Sequence, residues 1–187
     1  MKKIAVIFPG VGYTKDRPLL YYAGKLAAVY GYELIHLDFS GIDWSKEKLK
    51  DKQFLLNTLE YCLDKTGKKL ECVDLEKADN VLFISKSIGT VVATAYADRH
   101  GINARQICFT PLEFIDRFVK EGNGLIFYGS ADPYADPKMI SDICRNKKLT
   151  ANCIEDANHS LETGDVLKDM ENLLSVMRKV ENFINLL

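Results

Sequence analysis

Short apolar runs alternate with longer segments of helical period along the whole chain, and no other feature constrains the fold as tightly. The runs span residues 4–8, 33–37, 80–84, 106–109, 124–128 and 151–154. Most of them lack the in-out alternation of a half-solvated strand, so they are expected to be covered on both faces. Candidate helices lie at roughly 18–30, 45–65, 87–99, 137–146 and 164–184. Strand and helix in regular succession imply a mainly parallel sheet of about six strands with right-handed crossovers, a three-layer α/β/α sandwich. Gly31, Gly67 and Gly101 sit where helices would need a left-handed residue to end. Asp136-Pro137 supplies an N-cap followed by proline at the first helical position. In the last helix Val166, Met170, Leu173, Leu174, Met177, Val180 and Ile184 fall on one stripe, the expected core face.

Composition narrows the function classes. A chain of 187 residues is read as one domain, 1–187, large enough to bury about 70% of its unfolded surface without disulfides. Lys plus Arg (25) and Asp plus Glu (26) nearly cancel, so no global field attracts nucleic acid or an anionic membrane. The five cysteines (Cys62, Cys72, Cys108, Cys144, Cys153) are odd in number and have no metal-ligand spacing, which points to reduced thiols and a cytoplasmic protein. Cys108 and Cys153, inside predicted strands, are expected to act as small apolar fillers. Met1-Lys2-Lys3 followed by apolar residues imitates a secretory signal, but the run ends at Pro9-Gly10 and is too short for one. It reads as the first strand.

The chemistry concentrates at three strand ends. Ser85-Lys86-Ser87-Ile88-Gly89 turns from the run Val81-Leu82-Phe83-Ile84 into a Gly- and Ala-dotted helix, which is how a nucleophile is held exposed on a strained turn. Gly129-Ser130-Ala131-Asp132-Pro133 and Asn158-His159-Ser160 each follow a later strand. Serine, then aspartate, then histidine is a sequence of residue types able to deprotonate a hydroxyl as it attacks. In this reading Ser87 is the nucleophile, His159 its base and Asp132 the group that orients the imidazole. Each has a plainer role available: Ser87 as a helix cap, Asp132 as a turn residue, His159 as a solvated loop residue. Asp136 is a rival acid, better suited to capping the helix after it. Asp156 is read as a turn former. Lys86 is expected to point to solvent, with attraction of anionic substrates as the alternative.

These segments together resemble the α/β-hydrolase superfamily, and within it the small lidless serine esterases related to dienelactone hydrolase. The matching residues are Ser87 and Gly89 of the elbow, Gly129 with Asp132-Pro133, and Asn158-His159-Ser160-Leu161. The resemblance spans essentially the whole chain and implies a minimal α/β-hydrolase fold. It also implies hydrolysis of small esters, thioesters or related acyl bonds through an acyl-enzyme, a small-molecule acyl substrate and no cofactor or metal. The oxyanion hole is expected from the backbone N–H groups of Ile88 and Val11. Tyr13, Leu112, Tyr134 and Leu161, each after a strand on the same edge, are expected to line the substrate pocket, with plain packing an equal explanation. Two departures stand out: Ser85 replaces the first glycine of Gly-x-Ser-x-Gly, and Pro9 replaces the usual histidine before the oxyanion glycine. Only fourteen residues, 110–123, separate the fourth and fifth strands, where larger hydrolases insert a lid. A short helix at 113–119 and a shallow, open site are expected there.

Two other readings compete. Gly10-Val11-Gly12 with Asp38 imitates a dinucleotide fingerprint, but Lys15 stands where the third glycine belongs. Alternatively, the same fold serves as a catalytically idle binding module, for which Ser85 at the elbow is the kind of change an unused site tolerates.

Overall fold

The computed structural model describes residues 1–42 and 52–186. Its elements run β1 (Lys3–Phe8), α1 (Pro18–Val29), β2 (Tyr32–His36), α2 (Lys52–Leu70), β3 (Asn80–Lys86), α3 (Ile88–Arg99), β4 (Arg105–Phe109), β5 (Gly124–Gly129), α4 (Pro137–Asn146), β6 (Thr150–Ile154) and α5 (Val166–Asn185). Among the described residues the strands form one six-stranded sheet in the order β2-β1-β3-β4-β5-β6. Every adjacent pair is parallel. The part of the second expected helix before Lys52 lies outside the described residues.

Burial follows position in the sheet. The inner strands β1, β3, β4 and β5 are buried almost end to end, while β2 and β6, at the two edges, are only partly covered. One core layer packs Val6, Phe8, Phe83, Cys108 and Ile126 against α2, α3 and α4. The other packs Ile7, Ile84, Phe109 and Phe127 against α1 and α5. The order reverses direction between β1 and β3, the kind of switch point at which ligands of such sheets bind. Helix α3 starts there, against the end of β1. Its first ten residues, Ile88 to Ala97, are all buried, which its small side chains (Gly89, Ala93, Ala95, Ala97) permit by letting the helix lie close on the sheet.

Four expectations need correction. Gly31 and Gly101 do take positive φ (85° and 63°), but Gly67 does not, and α2 runs through it to Leu70. Leu70 is buried in the core and the Thr66 hydroxyl bonds back to the Cys62 carbonyl, so packing carries the helix past a residue that could have stopped it. Cys153 is exposed rather than an apolar filler, because β6 is an edge strand. The apolar stripe of α5 is buried only in its second half: Met177, Val180 and Ile184 are in the core, whereas Val166, Met170 and Leu174 are exposed. The connection from β4 to β5 holds a 3₁₀ turn at Glu113–Arg117, slightly shorter than the helix expected there.

Candidate active site

The site is built on the turn between β3 and α3. Ser87 takes φ 55° and ψ −126°, a conformation that costs a non-glycine residue about 1–3 kcal/mol and persists only where neighbours enforce it. Here they do. The Ser87 N–H donates to the Phe109 carbonyl of β4 (3.0 Å), and the Ser87 carbonyl accepts from the Thr90 N–H (2.9 Å) and hydroxyl (2.6 Å). Gly89 is required by space: a Cβ there would collide with the carbonyl oxygens of Phe8 and Pro9, because α3 enters directly against the end of β1. Ser85, which replaces a glycine, leaves no polar group unpaired. Its hydroxyl donates to the Ile107 carbonyl (3.1 Å) and lies 3.6 Å from the Cys108 sulfur.

Asp132 and His159 come from two loops that clasp each other. The Ser130 N–H donates to the Ile154 carbonyl (2.9 Å), the Ala131 N–H to the Ala157 carbonyl (3.0 Å), and the Asp156 N–H to the Ser130 hydroxyl (2.8 Å). Gly129 abuts the Ala157 carbonyl so closely that any side chain would push the loops apart. Asn158 shapes the histidine loop, its side-chain oxygen accepting from the N–H groups of Ser160 (2.7 Å) and Glu162 (3.3 Å). Asp136 accepts from the Lys138 N–H (2.8 Å) as the N-cap of α4. Asp156, at φ 57°, sits exposed in the turn before the histidine loop.

The two loops bring Ser87, His159 and Asp132 into a chain of hydrogen bonds. His159 Nε2 lies 2.8 Å from Ser87 Oγ, and His159 Nδ1 lies 2.7 Å from Asp132 Oδ2. The remaining carboxylate oxygen accepts from the Tyr134 N–H (2.9 Å). The Asp132 side chain is 2% exposed and that of His159 18%. Burial holds the His159 pKa below the ordinary histidine value; the Asp132 hydrogen bond opposes this, and the Lys86 charge adds to the lowering. Burial and the Lys86 charge thus both favour the neutral imidazole, the form that can accept a proton.

Lys86 does not point to solvent. It is 1% exposed, and its ammonium lies 5.1 Å from the ring centroid of Tyr13. Strand β3 pairs with β4 out to Lys86–Phe109, two residues beyond the expected strand end. Alternation then turns Lys86 to the same face as Leu82 and Ile84, into the layer beneath α1.

The loop after β1 closes the site from the other side. Gly10 and Tyr13 exchange backbone hydrogen bonds (3.1 and 3.4 Å) around a tight turn, with Val11 and Gly12 at its tip. A Cβ on Gly10 would come within 3.1 Å of the Ser87 Cβ, so this turn rests on Ser87. Among the described residues neither the Val11 N–H nor the Ile88 N–H, the first of α3, has a hydrogen-bond acceptor. The four expected pocket residues do not share one cavity. Tyr13 and Leu161 line a cavity of about 480 Å³ between α1, the histidine loop and α5. Leu112 lines a narrow apolar crevice of about 40 Å³ with Ile88, Val91 and Phe114. Tyr134 is half exposed and sets its ring edge against His159, with centroids 4.9 Å apart.

Gly10, Gly12 and Asp38 do line a common cavity of about 490 Å³. Helix α1, however, begins only at Pro18, so the glycine turn does not deliver a helix N-terminus to a phosphate. Both Asp38 oxygens are taken by the Ser40 N–H (2.8 Å) and hydroxyl (2.9 Å). Among the described residues no helix is long and apolar enough to cross a membrane.

No protein-family model and no curated protein matches the sequence. Solved structures do match. A Xanthomonas campestris pv. campestris protein placed in the alpha/beta superfamily of hydrolases aligns over 100% of both chains with TM-score 0.70 and 14% identity. Another Xanthomonas campestris protein, described as an a/b serine hydrolase without a lid, is covered to 80% by 97% of this chain, with TM-score 0.63 and 14% identity. Est1E from Butyrivibrio proteoclasticus, in its complex with ferulic acid, is covered to 88% by 97% of this chain, with TM-score 0.70 and 14% identity. At such identities likeness speaks to architecture, and on that ground the chain has the α/β-hydrolase fold.

Proposed function

We propose that the protein is a serine hydrolase that cleaves small ester, thioester or related acyl bonds through an acyl-enzyme. The observation that carries this reading is the unbroken chain from Ser87 Oγ to His159 Nε2 (2.8 Å) and from His159 Nδ1 to Asp132 Oδ2 (2.7 Å). In the reading, Ser87 Oγ attacks the acyl carbon while its proton passes to His159 Nε2. Asp132 accepts from Nδ1–H, fixes the tautomer and stabilises the imidazolium. The oxyanion takes the N–H groups of Ile88 and Val11, which are unpaired in the free site and need no reorganisation to receive charge. His159 then protonates the leaving group. In the second half-reaction it deprotonates a water that attacks the acyl-enzyme and returns Ser87.

A small acyl group is favoured by the short β4–β5 connection, which carries only a 3₁₀ turn, and by the crevice of about 40 Å³ beside Ile88. A crevice that small excludes a fatty chain. Labelling with a fluorophosphonate probe across pH 6–9 tests the reaction class. Modification at Ser87, absent in Ser87→Ala, is the expected result. Folded protein that stays unlabelled would instead favour an idle binding module. Turnover of p-nitrophenyl esters of increasing chain length, with a feruloyl ester included because Est1E binds ferulic acid, then sorts carboxylesterase from other substrate preferences.

A further inference from the structure

Lys86, beside Ser87, is 1% exposed, and among the described residues no carboxylate forms an ion pair with it. An apolar side chain of similar length would fill the same space without a buried ammonium. What surrounds this one is the turn after β1. At its stem, a Cβ on Gly10 would lie 3.2 Å from Lys86 Cγ and 3.1 Å from the Lys86 carbonyl oxygen. At its head, the ammonium lies 5.1 Å from the ring centroid of Tyr13. Gly10 and Tyr13 are the two ends of the turn, joined by backbone hydrogen bonds of 3.1 and 3.4 Å, and only Val11 and Gly12 stand between them. One side chain therefore touches both ends of the turn while its own backbone continues into Ser87. The Tyr13 end has a further anchor, its phenol oxygen accepting from the Leu19 N–H (3.1 Å), a donor in the first turn of α1 that no helical carbonyl can reach. The tip has little of its own to fix it: Gly12 is exposed, at φ 61°, and the Val11 side chain packs into the other core layer from Tyr13.

We propose that Lys86 is a positioning residue, a strut whose stem against Gly10 and ammonium against the Tyr13 ring hold the turn after β1 in register with Ser87, so that the Val11 N–H is aimed at the oxyanion before substrate arrives. The proposal rests on the serine hydrolase reading for its catalytic consequence but not for the mechanical link. A methylene chain alone would fill the space under Gly10. The ammonium adds attraction to the ring face, which draws the Tyr13 end of the turn onto the strand that carries Ser87. Nucleophile and oxyanion donor are then set by one residue, and a donor fixed in this way spends nothing on reorganisation as charge develops.

The test has a structural and a kinetic arm, each run on the wild-type chain, Lys86→Met, which keeps the length without the charge, and Tyr13→Leu, which removes the ring. The first follows hydrogen exchange of the Gly10 amide, the donor across the turn, by NMR. Exchange should quicken by about tenfold or more in both variants, with the amides of β3 and β4 unchanged. In the second, on p-nitrophenyl acetate, kcat should fall about tenfold to a hundredfold in each variant with KM nearly constant. The double variant should be no slower than the slower single one, because both break the same contact. Lys86→Arg, whose guanidinium also stacks on an aromatic face, should recover most of the rate. A lysine that only fills space would give wild-type exchange and kcat in Lys86→Met. Unchanged Gly10 exchange in a folded Lys86→Met chain overturns the strut, and faster exchange with kcat intact overturns its bearing on the oxyanion. Absence of the fluorophosphonate label from the wild-type chain overturns the hydrolase reading instead, while the exchange rates still decide the mechanical link.

Discussion

At the scale of single residues, the roles of the three linked side chains make distinct predictions. Ser87→Ala removes the attacking oxygen but fills no new space, so kcat should fall on the order of 10⁴–10⁶ while the melting temperature holds. Asp132→Asn keeps the shape but permits the wrong tautomer, and should cost about 10⁴ in kcat. Asp136→Asn touches only the cap of α4 and should leave kcat unchanged, a contrast that decides which aspartate serves the base. Because burial depresses the His159 pKa, kcat/KM should rise with pH along an acid limb shifted below that of an ordinary histidine, then level off. Lys86 adds a stability signature of its own. Its folded pKa of about 7 lies below the unfolded value of 10.5, so the unfolded chain binds the extra proton between these values and wild-type stability rises with pH across that window. Lys86→Met should therefore raise the melting temperature most at pH 7 and below, with the gain shrinking toward pH 10. A gain independent of pH would mean that the native lysine keeps its normal pKa.

At the scale of elements, the site depends on close approaches between backbones. Helix α3 meets the end of β1 at Gly89, and the acid and histidine loops meet at Gly129 and Ala157. Gly89→Ala should force α3 away from the β1 carbonyls and destabilise the chain in thermal melts, whereas Ser85→Gly should be mild, because the hydroxyl it removes bonds only outward to β4. Asn158→Ala would free the N–H groups of Ser160 and Glu162 and loosen the loop carrying His159. We expect kcat to fall about tenfold to a hundredfold with the probe reactivity of Ser87 reduced in parallel. A loss of KM alone, with kcat intact, would place Asn158 in substrate contact rather than in loop support. The short β4–β5 connection acts at the same scale: its 3₁₀ turn and the residues before it wall the crevice shared by Ile88, Leu112 and the leucines of α2.

At the scale of the molecule, the sheet order decides where chemistry can occur. All strands point the same way, so the loops bearing Val11, Ser87, Asp132 and His159 gather at one rim. At the reversal of direction between β1 and β3, the turn after β1 rests on Ser87. If the acyl group enters the small crevice by Ile88 and Leu112, activity on p-nitrophenyl esters should peak at two to four carbons and decline by the length of octanoate. Activity rising through long-chain esters would require an enclosed channel and would refute the small-substrate reading.

How much of this was legible in the residues depends on the range of the forces involved. The inner strands were readable because burial on both faces demands uninterrupted apolar residues, and the three candidate catalytic groups because each directly follows such a run. Lys86 was misplaced for a reason of parity. Its strand ends two residues later than its apolar run, and only pairing with Phe109 of β4 shows which way its side chain must face. The exposed first half of α5, the exposed Cys153 and the continuation of α2 past Gly67 likewise depend on neighbours distant in the chain. The four expected pocket residues share an edge but not a cavity, since side-chain direction is set by packing. Local chemistry and strand periodicity thus determined the layered architecture and the identity of the linked serine, histidine and aspartate. Tertiary packing alone decided the contacts between distant loops: the 2.8 and 2.7 Å hydrogen bonds, the turn against Ser87, and the buried charge beside them.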